Sequence, residues 1–526
     1  MMKRKTIISI IAVLTMAFAL LLTGCGGSDS EGTAAGSASP AGGKTLIYGS
    51  QDYTAINPAL FEHGEINLLL FAGLTSHDQD NNVVPGLAED WDFDKDSLTY
   101  TFHLREGLTF HDGEPLTSED VKFTLESILD EKNASEIVSN YTDIKDIKCP
   151  DETTVEIQLD KMNVAFPDYM SIGILPKHLL EGKDMTSDEF NQNPVGAGPY
   201  KLVEWDMGQS ITMEKFDGYY AGAPKIDTVI FKIVPDTNSK AMQLASGDLD
   251  MAQITAKTRD DVEKTGNFNI YNMETADYRA VAYNFAGSEF FKAHPELSNI
   301  LSYGIDRDAI IESVLLGEGQ SAYSPIQKNV FNKEKINHFD YDPARMEKLL
   351  KENGWSKNAD GIYEKDGQPL KFNLDAMADD QVRVDMAKMV AAQLKEHGVD
   401  VTARAEKEID WGGFDAVIIG WGSPFDADDH TYKIFSTDAG DNYTGYSYNK
   451  VDKFLAEARA TDDDAKRAEL YGGFLDAMTE IMPYSFIAYV DADYAVRKGI
   501  TGITENTLLG HHGVGIFWNI ADWDIE

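Results

Sequence analysis

Apolar positions recur along this chain with two spacings, and each spacing predicts a different kind of element. Apolar and polar residues alternate over residues 98–104, which indicates a strand with one buried face. Thr117 and Asp120 then form a capping box, since each side chain can accept a hydrogen bond from an amide of the first helical turn. Apolar residues at helical spacing follow as far as residue 129, and Asp342–Pro343 predicts another capped helix start.

The order of these elements predicts a mixed α/β fold. An apolar stripe at helical spacing over residues 382–394 ends near Gly398 and leads directly into an alternating strand from Val399. The folded part of the chain opens with another strand at residues 46–50. Because helices and strands are mixed in this way throughout, α/β lobes are favoured over a β-sandwich.

The N-terminal residues indicate export. Basic residues at positions 3–5 precede an apolar stretch at residues 7–22, which is shorter than the roughly 20 residues of a membrane span and ends in small residues. The sequence LTGC at residues 22–25 is similar to a bacterial lipobox, whose cysteine is acylated and becomes the first residue of the mature chain. We therefore expect a signal peptide at residues 1–24 and lipid attachment at Cys25; an ordinary signal peptide is the alternative.

Residues 25–43 are rich in glycine, serine and alanine and carry no large apolar side chain, so they predict a flexible tether. The chain as a whole is 43% hydrophobic and 10% aromatic, which is enough for large cores. With Cys25 lipidated, Cys149 has no partner for an intramolecular disulfide, and packing alone must hold the fold. A net charge of −42 excludes nucleic acid as a partner.

Motifs for catalysis or metal binding are not found. The chain has no G-x-S-x-G, G-x-G-x-x-G or H-E-x-x-H sequence, so we expect no enzyme, no cofactor and no metal site. Residues 78–89 imitate a calcium loop, but Val83 replaces the glycine that permits its sharp turn. His511 and His512 are the only adjacent histidines, and their glycine-bounded turn is interpreted as a solvated loop.

A series of short motifs then follows in a recognisable order. The motifs are VPGLAEDW (84–91), the strand and capped helix (98–129), NPVGAGPY (193–200), GYY (218–220) through PD (235–236), SGDLD (246–250), AYNF (282–285), YGIDR (303–307), YDP (341–343) and GW (420–421). Their order across nearly the whole chain resembles the extracellular solute-binding protein family 5. That family contains the oligopeptide-, dipeptide- and nickel-binding proteins of ABC importers.

The resemblance implies a two-lobed periplasmic-binding-protein fold (type II, cluster C) with an inserted subdomain and a hinge. The implied segments are lobe I (44–74, 193–277 and 489–526), the inserted subdomain (75–192) and lobe II (278–488). The lobes would join near residues 280–285 and 484–496 and close on a ligand that contacts both.

The resemblance also implies where a ligand binds. Peptide-binding members hold an extended peptide by main-chain hydrogen bonds, and a buried aspartate meets its ammonium group. In the dipeptide branch this aspartate is the third residue after Gly-Trp, where this chain has Pro424; Asp426 is the nearest substitute, followed by Asp428 and Asp429. The candidate ligand-binding residues are Trp421, Ser423, Phe425, Asp426, Tyr283, Asn284, Tyr53 and Asn57. A turn cap at Asp426, core packing of Trp421 and structural hydrogen bonding at the lobe junctions are the alternatives.

The sequence therefore predicts an extracytoplasmic, lipid-anchored and monomeric receptor. It would capture oligopeptides and deliver them to an ABC permease with ATPase subunits, within the periplasmic space if the host has an outer membrane. A nickel or metal–metallophore chelate is the alternative ligand, because the run after Trp421 is similar to the nickel branch. That branch has an arginine just before the position of residues 174–176 and a later histidine near residues 439–441. This chain has neither residue at those places. His430 could replace the histidine only in a different geometry. A cell-wall-peptide hydrolase and a sensory or chaperone-like role are further alternatives.

Overall fold

The computed structural model describes residues 43–61, 64–327, 331, 336 and 338–526. The predicted signal peptide, nearly all of the predicted tether and the predicted lipid attachment at Cys25 lie outside the described residues. Gly43–Glu526 forms one compact unit. Among the described helices, none combines the length and the apolar character that a membrane crossing requires.

The strands of the described residues are numbered in chain order. They are β1 (Thr45–Ser50), β2 (Thr75–His77), β3 (Val83–Pro85), β4 (Ala88–Asp94), β5 (Thr99–Leu104), β6 (Ile144–Asp151), β7 (Thr154–Leu159), β8 (Tyr200–Asp206), β9 (Ser210–Lys215), β10 (Thr228–Ile233), β11 (Met251–Ile254), β12 (Phe268–Tyr283), β13 (Gln320–Ser321), β14 (Ser356–Lys357), β15 (Tyr363–Lys365), β16 (Gln368–Pro369), β17 (Lys371–Met377), β18 (Asp400–Glu406), β19 (Ala416–Trp421), β20 (Tyr484–Arg497), β21 (Ile500–Thr501) and β22 (Asp524–Ile525).

The helices of the described residues follow the same convention. They are α1 (Asn67–Leu70), α2 (Ser118–Leu129), α3 (Phe166–Tyr169), α4 (Lys177–Leu180), α5 (Thr237–Ser246), α6 (Ala256–Glu263), α7 (Glu289–Ala293), α8 (Leu297–Ser302), α9 (Arg307–Val314), α10 (Pro343–Glu352), α11 (Gln381–Glu396), α12 (Tyr432–Phe435), α13 (Asn449–Arg459) and α14 (Asp464–Met478). Short 3₁₀ helices lie at Glu131–Asn133, Val138–Asn140, Glu189–Asn191, His511–Gly513 and Ile520–Asp522.

The local elements predicted from patterning are confirmed. The Thr117 amide donates to the Asp120 carboxylate at 2.9 Å, which completes the capping box of α2. The Asp342 side chain accepts from the Arg345 amide at 2.9 Å at the start of α10. The apolar stripe over residues 382–394 is α11, and β18 follows it as expected.

One large sheet runs through the whole body. Its strand order is β18-β17-β19-β12-β20-β11-β1-β10-β9-β8, with β13 paired to β20. Neighbours are parallel for β17–β18 near one end and for β1–β10 near the other, as expected for α/β lobes. Strands β12 and β20 are long and antiparallel, and their pairing is interrupted between Glu274 and Tyr278.

The sheet carries two separate large cores on either side of that interruption. One core contains Leu46, Phe102 and Trp523, so the four-stranded sheet β4-β5-β7-β6 shares it with the N- and C-terminal strands. The other core contains Tyr283 and Trp355 and is built from residues 278–489. The predicted inserted subdomain is therefore packed on the predicted lobe I as one body, while the predicted lobe II has its own core.

Candidate functional site

Three chain segments converge where the β12–β20 pairing is interrupted. The C-terminal segment joins β12 through two backbone hydrogen bonds, from the Leu509 amide to the Glu274 carbonyl at 3.0 Å and from the Ala276 amide to the Leu509 carbonyl at 2.7 Å. The chain after β19 approaches the same place, since a Cβ on Gly422 would lie 2.3 Å from the Ala276 oxygen. The junction between the two cores thus brings together β12, the segment after β19 and the C-terminal turn.

Asp277 lies at the centre of this junction with its side chain fully buried. Its Oδ1 contacts the Arg279 guanidinium and lies 2.8 Å from Nδ1 of His511, and its Oδ2 accepts from the His512 amide at 3.0 Å. Burial alone would raise the pKa of this carboxyl, but Arg279 and then His511 outweigh it and hold the pKa well below its usual range. Asp277 is therefore an ionised carboxylate that orients the histidine turn.

The two histidines face different surroundings within that turn. The His511 side chain is 11% exposed and its Nε2 lies 3.4 Å from the Arg383 guanidinium, whereas His512 is exposed and adopts a left-handed backbone with φ of 57°. The interpretation of this pair as a solvated loop is wrong for His511. The turn is held by the buried carboxylate of Asp277, which precedes His512 by 235 residues in the chain.

These groups have the chemistry of metal ligands. One ligand atom each from Asp277, His511 and His512 lie within 4.8 Å of one another. A carboxylate that accepts from one histidine nitrogen fixes the tautomer and leaves the other nitrogen as an acceptor, as in the usual second shell of a metal-bound histidine. In His511 that other nitrogen is Nε2, which lies 3.4 Å from the Arg383 guanidinium. Within the described part of the chain, no other group of three such side chains meets this spacing.

Two arginines give the same site a positive character. Arg279 is 5% exposed, and Arg383 from α11 is held by an ion pair from its Nε to Asp380 Oδ2 at 3.0 Å. Guanidinium groups repel a bare cation but bind carboxylates well, often in bidentate geometry. The site can therefore hold a metal whose own chelator carries an anionic group.

Asp426, the predicted amine anchor, is occupied by a different partner. Its two oxygens accept from Arg467 of α14 at 2.7 Å each, and Oδ1 also accepts from the Asp428 amide at 2.9 Å. The Asp426 side chain is 13% exposed and that of Arg467 is 7% exposed. Asp426 thus serves as a turn cap and a buried ion-pair partner inside its own half of the molecule.

Phe425 and Ser423 lie beside Asp426 and also have structural contacts. The Phe425 ring stacks on His77 with 3.6 Å between centroids, and His77 Nε2 lies 3.2 Å from Asp168. The Ser423 hydroxyl accepts from the Phe425 amide at 3.3 Å. This part of the run therefore packs against the predicted inserted subdomain.

Asp428 anchors the same border by a buried charge network. It accepts from Arg459 (Nε at 3.0 Å) and from the Tyr169 hydroxyl at 2.7 Å. Arg459 also donates to Asp143 at 2.8 Å and lies 3.5 Å above the Tyr432 ring. Since Tyr169 and Asp143 belong to the predicted inserted subdomain, these contacts join the two bodies.

Trp421 is a predicted residue that lies beside the junction. It ends β19 opposite Tyr278, stacks on Tyr443 with 6.1 Å between centroids, and has the Lys433 ammonium 5.8 Å from its ring. The Trp411 ring lies on Tyr443 in a tilted arrangement, with 4.7 Å between centroids. Trp421 is half-buried, so it combines packing with a position at the edge of the junction.

Asn57 and Asn284 support turns. The Asn57 amide donates to Asn191 Oδ1 at 3.0 Å while its oxygen accepts from the Ala59 amide at 3.1 Å. The Asn284 oxygen accepts from the amides of Ala286 and Gly287 at 3.1 and 2.6 Å. Both side chains are buried, as is expected for structural turn residues.

Tyr53 and Tyr283 are buried as well. Tyr283 is fully buried and its hydroxyl lies 3.1 Å from the Ser485 hydroxyl, within the core of residues 278–489. Tyr53 is 8% exposed, and burial raises its pKa. These two tyrosines pack in the cores on either side of the junction.

Sequence reasoning missed Asp277, Arg279 and Arg383. A signal for the first two is present, because an aspartate and an arginine two positions apart interrupt the apolar run of β12. Charged residues inside a buried strand need partners, which marks them for attention. Arg383 carries no such signal, since it begins an ordinary amphipathic helix.

Known proteins with similar sequences and structures share this architecture. The family model described as "Bacterial extracellular solute-binding proteins, family 5 Middle" matches residues 82–443. The chain belongs to solute-binding protein family 5. The resemblance read from the motifs and the two-lobed periplasmic-binding-protein fold are both confirmed.

Similar proteins of this family bind different ligands. The oligopeptide-binding protein AppA of Bacillus subtilis is 30% identical over 99% of this chain and 99% of its own length. The structure of NikZ from Campylobacter jejuni in complex with Ni(L-His) is 36% identical, with a TM-score of 0.84 over 91% of this chain and 99% of that one. The structure of AppA with a nonapeptide is 29% identical, with a TM-score of 0.81 over 92% and 99% of the two chains.

This family 5 member is thus the substrate-binding protein of an ABC transporter. Family members are extracytoplasmic transport proteins that work with permease and ATPase components, and they are not enzymes.

Proposed function

We propose that this family 5 protein captures a divalent metal ion, nickel foremost, as a small anionic chelate and delivers it to its ABC permease. The observation that carries the proposal is the group formed by Asp277, His511 and His512, whose ligand atoms lie within 4.8 Å of one another. Imidazole nitrogen is a preferred ligand of nickel in proteins. The 36% identity with NikZ, whose structure contains Ni(L-His), supports the same ligand class.

A chelate fits the site better than a bare ion does. Arg279 and Arg383 lie beside the histidines and would repel an uncompensated cation. A chelator with a carboxylate, such as histidine, would bring the negative charge that these guanidinium groups attract. In this arrangement the chelator fills some metal positions and the imidazoles of the turn fill others.

The fold gives the site a means of closure. The ligand would contact β12, the C-terminal turn and Arg383 of α11, which together belong to both bodies of the molecule. Only a ligand with contacts to both bodies shifts the hinge equilibrium toward closure. We keep the predicted boundaries: lobe I (44–74, 193–277 and 489–526) with the inserted subdomain (75–192) is one unit of that motion, and lobe II (278–488) is the other.

The proposal includes attachment to the cell membrane. The lipobox-like LTGC sequence supports acylation of Cys25 after removal of residues 1–24, and residues 25–43 would tether the body. A monomer with this anchor suits delivery to a permease in the same membrane.

An oligopeptide, which the sequence motifs predict as the ligand with a metal chelate as the alternative, is the second candidate here. The observation in its favour is the similarity to AppA, an oligopeptide-binding protein, over 99% of both chains. Against it, Arg467 already neutralises Asp426, so a peptide ammonium group would need another carboxylate. We therefore place this candidate second.

Native mass spectrometry of the protein purified without refolding tests the two candidates together. The protein is incubated with an equimolar mixture of Ni²⁺, L-histidine and a random pentapeptide library. The proposal predicts one discrete adduct with the mass of nickel plus histidine. A ladder of peptide masses with no nickel adduct would overturn it in favour of the oligopeptide receptor.

A further inference from the structure

A half-buried carboxyl group, that of Glu65, lies behind the histidine turn, outside the set of proposed ligands. Glu65 precedes α1 and contacts two tyrosine hydroxyls, that of Tyr48 from β1 at 2.7 Å through Oε2 and that of Tyr494 from β20 at 3.0 Å through Oε1. The Tyr494 hydroxyl also lies 3.0 Å from the carbonyl oxygen of Gly513, the residue that follows His512. Glu65 is thereby connected to the turn through Tyr494.

The number of protons available decides which form of Glu65 fits these contacts. Three contacts run in a row, from Tyr48 to Glu65, from Glu65 to Tyr494 and from Tyr494 to the Gly513 carbonyl, and each requires one proton. Each phenol has one proton and the carbonyl has none. If Glu65 is ionised, only two protons are available for the three contacts, and in one contact two acceptor oxygens face each other. If Glu65 is protonated, it donates to the Tyr494 hydroxyl, which then donates to the Gly513 carbonyl.

We propose that Glu65 is a positioning residue that acts as a neutral carboxylic acid, holding the His511–Gly513 turn through Tyr494 in the geometry that receives the ligand. The inference rests on the proposed function, because it concerns the same site. Gly513 has φ of 76°, and a Cβ there would lie 3.1 Å from the Tyr494 hydroxyl, so this tyrosine contacts the turn closely. The carbonyl of Gly513 is thus fixed by a hydrogen bond that depends on the proton of Glu65.

The surroundings of Glu65 agree with a neutral form. Glu65 is half-buried, and desolvation raises its pKa more than the hydrogen bonds from Tyr48 and Tyr494 and the charge of Lys240 lower it. The titratable and charged groups that face it are Tyr48 on β1, Tyr53 after β1, Lys240 on α5 and Tyr494 on β20. Burial lowers the pKa of Lys240 as well.

Glutamine at position 65 is the discriminating substitution. Its amide N–H can donate to Tyr494 and its oxygen can accept from Tyr48, so Glu65→Gln reproduces the neutral acid and cannot ionise. Glu65→Ala removes both contacts, and Tyr494→Phe removes the donor to Gly513. If Glu65 were an ionised carboxylate, Glu65→Gln would instead remove a required charge.

The experiment is calorimetric titration of the full protein with Ni²⁺ plus L-histidine from pH 7 to 9. We expect Glu65→Gln to match the wild type at pH 7, and Glu65→Ala and Tyr494→Phe to bind roughly ten-fold more weakly, equivalent to one lost hydrogen bond. Because the folded pKa of Glu65 is raised, wild-type affinity falls relative to Glu65→Gln as the pH rises through it. Equal loss in Glu65→Gln and Glu65→Ala would overturn the proposal.

A second measurement does not depend on nickel binding. The side-chain carboxyl ¹³C resonance of Glu65, assigned by its absence in Glu65→Gln, reports the protonation state directly. A resonance that is still in its protonated position at pH 7, well above the ordinary glutamate pKa of about 4.3, supports the proposal, and one that has already reached its ionised position at pH 7 refutes the neutral acid. If no variant binds nickel–histidine but the resonance titrates high, the proposed function fails while the assignment of a neutral Glu65 stands.

Discussion

Replacement of Asp428 by asparagine tests the buried charge network between the two bodies. The Asp428 side chain is 1% exposed and that of Arg459 is 7% exposed, and the two share three short contacts, with the shortest at 2.6 Å. Asparagine has nearly the same shape and can still accept from Tyr169. The substitution therefore removes the charge and replaces one of the two oxygens that accept from Arg459 by an amide donor.

The expected loss of stability depends on the carboxylate partner that Arg459 keeps in the variant. Removal of one partner from a buried ion pair costs about 3–5 kcal/mol, because the other charge is left uncompensated. Arg459 still has Asp143 at 2.8 Å, so the lower end applies, and we expect about 3 kcal/mol. An arginine guanidinium does not lose its proton in proteins, so Asp428→Asn leaves a charged Arg459 with Asp143 as its remaining carboxylate partner.

Urea unfolding at pH 7, followed by tryptophan fluorescence, measures this loss. Asp462→Asn is the matched control, because the Lys95–Asp462 pair joins the same two bodies with side chains 56% and 60% exposed, and it should leave the unfolding midpoint unchanged. The double variant Asp428→Asn/Arg459→Met should recover part of the loss. A wild-type midpoint in Asp428→Asn, or an equal loss in the control, would refute the reasoning.

Three further predictions concern single carboxylates and one histidine. Asp426→Ala should lower the free energy of unfolding by about 3 kcal/mol, because Arg467 loses its ion-pair partner. The same variant should bind nickel–histidine with unchanged affinity in calorimetry. A variant with wild-type stability but lost affinity would instead show that Asp426 is the ligand anchor. Burial lowers the pKa of His111 from 6.5 to about 4, and its neutral ring contacts the Gly198 carbonyl. The unfolded chain binds more protons in that window, so stability should fall as the pH drops from about 6.5 to 4, and less so in His111→Gln; equal acid profiles would contradict this. The depressed pKa of Asp277 contributes stability that is fully present above pH of about 4 and is lost as the pH falls further. The free energy of unfolding of Asp277→Asn should therefore depend less on pH in this acid range than that of the wild type. Parallel pH profiles of the two proteins would exclude this contribution.

Local patterning predicted local structure well in this chain. The capping box at Thr117 and the start of α10 depend on residues three positions apart, so their hydrogen bonds can be read directly from the sequence. The two-lobed topology was available only from the order of family motifs. Pairing of β12 with β20 joins segments that are far apart in the chain, and no local pattern encodes such partners.

In the candidate site, too, the contacts between residues far apart in the chain could not be predicted from the sequence. The sequence marked Asp426 as a charged residue in the right motif, but its partner Arg467 lies 41 residues later and could not be inferred. His511 and His512 looked like a solvated turn, because the carboxylate that holds the turn is about 235 residues away. Chemistry that depends on one buried charge meeting a distant loop becomes visible only in three dimensions.

Calorimetric titration with Ni²⁺ plus L-histidine is the most direct test of the central claim, that the histidine turn and Asp277 hold a metal chelate. Wild-type protein should bind one nickel per chain. Substitution of His511 or His512 by alanine should weaken binding at least ten-fold, as expected for loss of a metal ligand or its orienting contact. Undiminished nickel binding in a doubly substituted His511→Ala/His512→Ala protein, or no nickel binding by the wild type, would contradict the account.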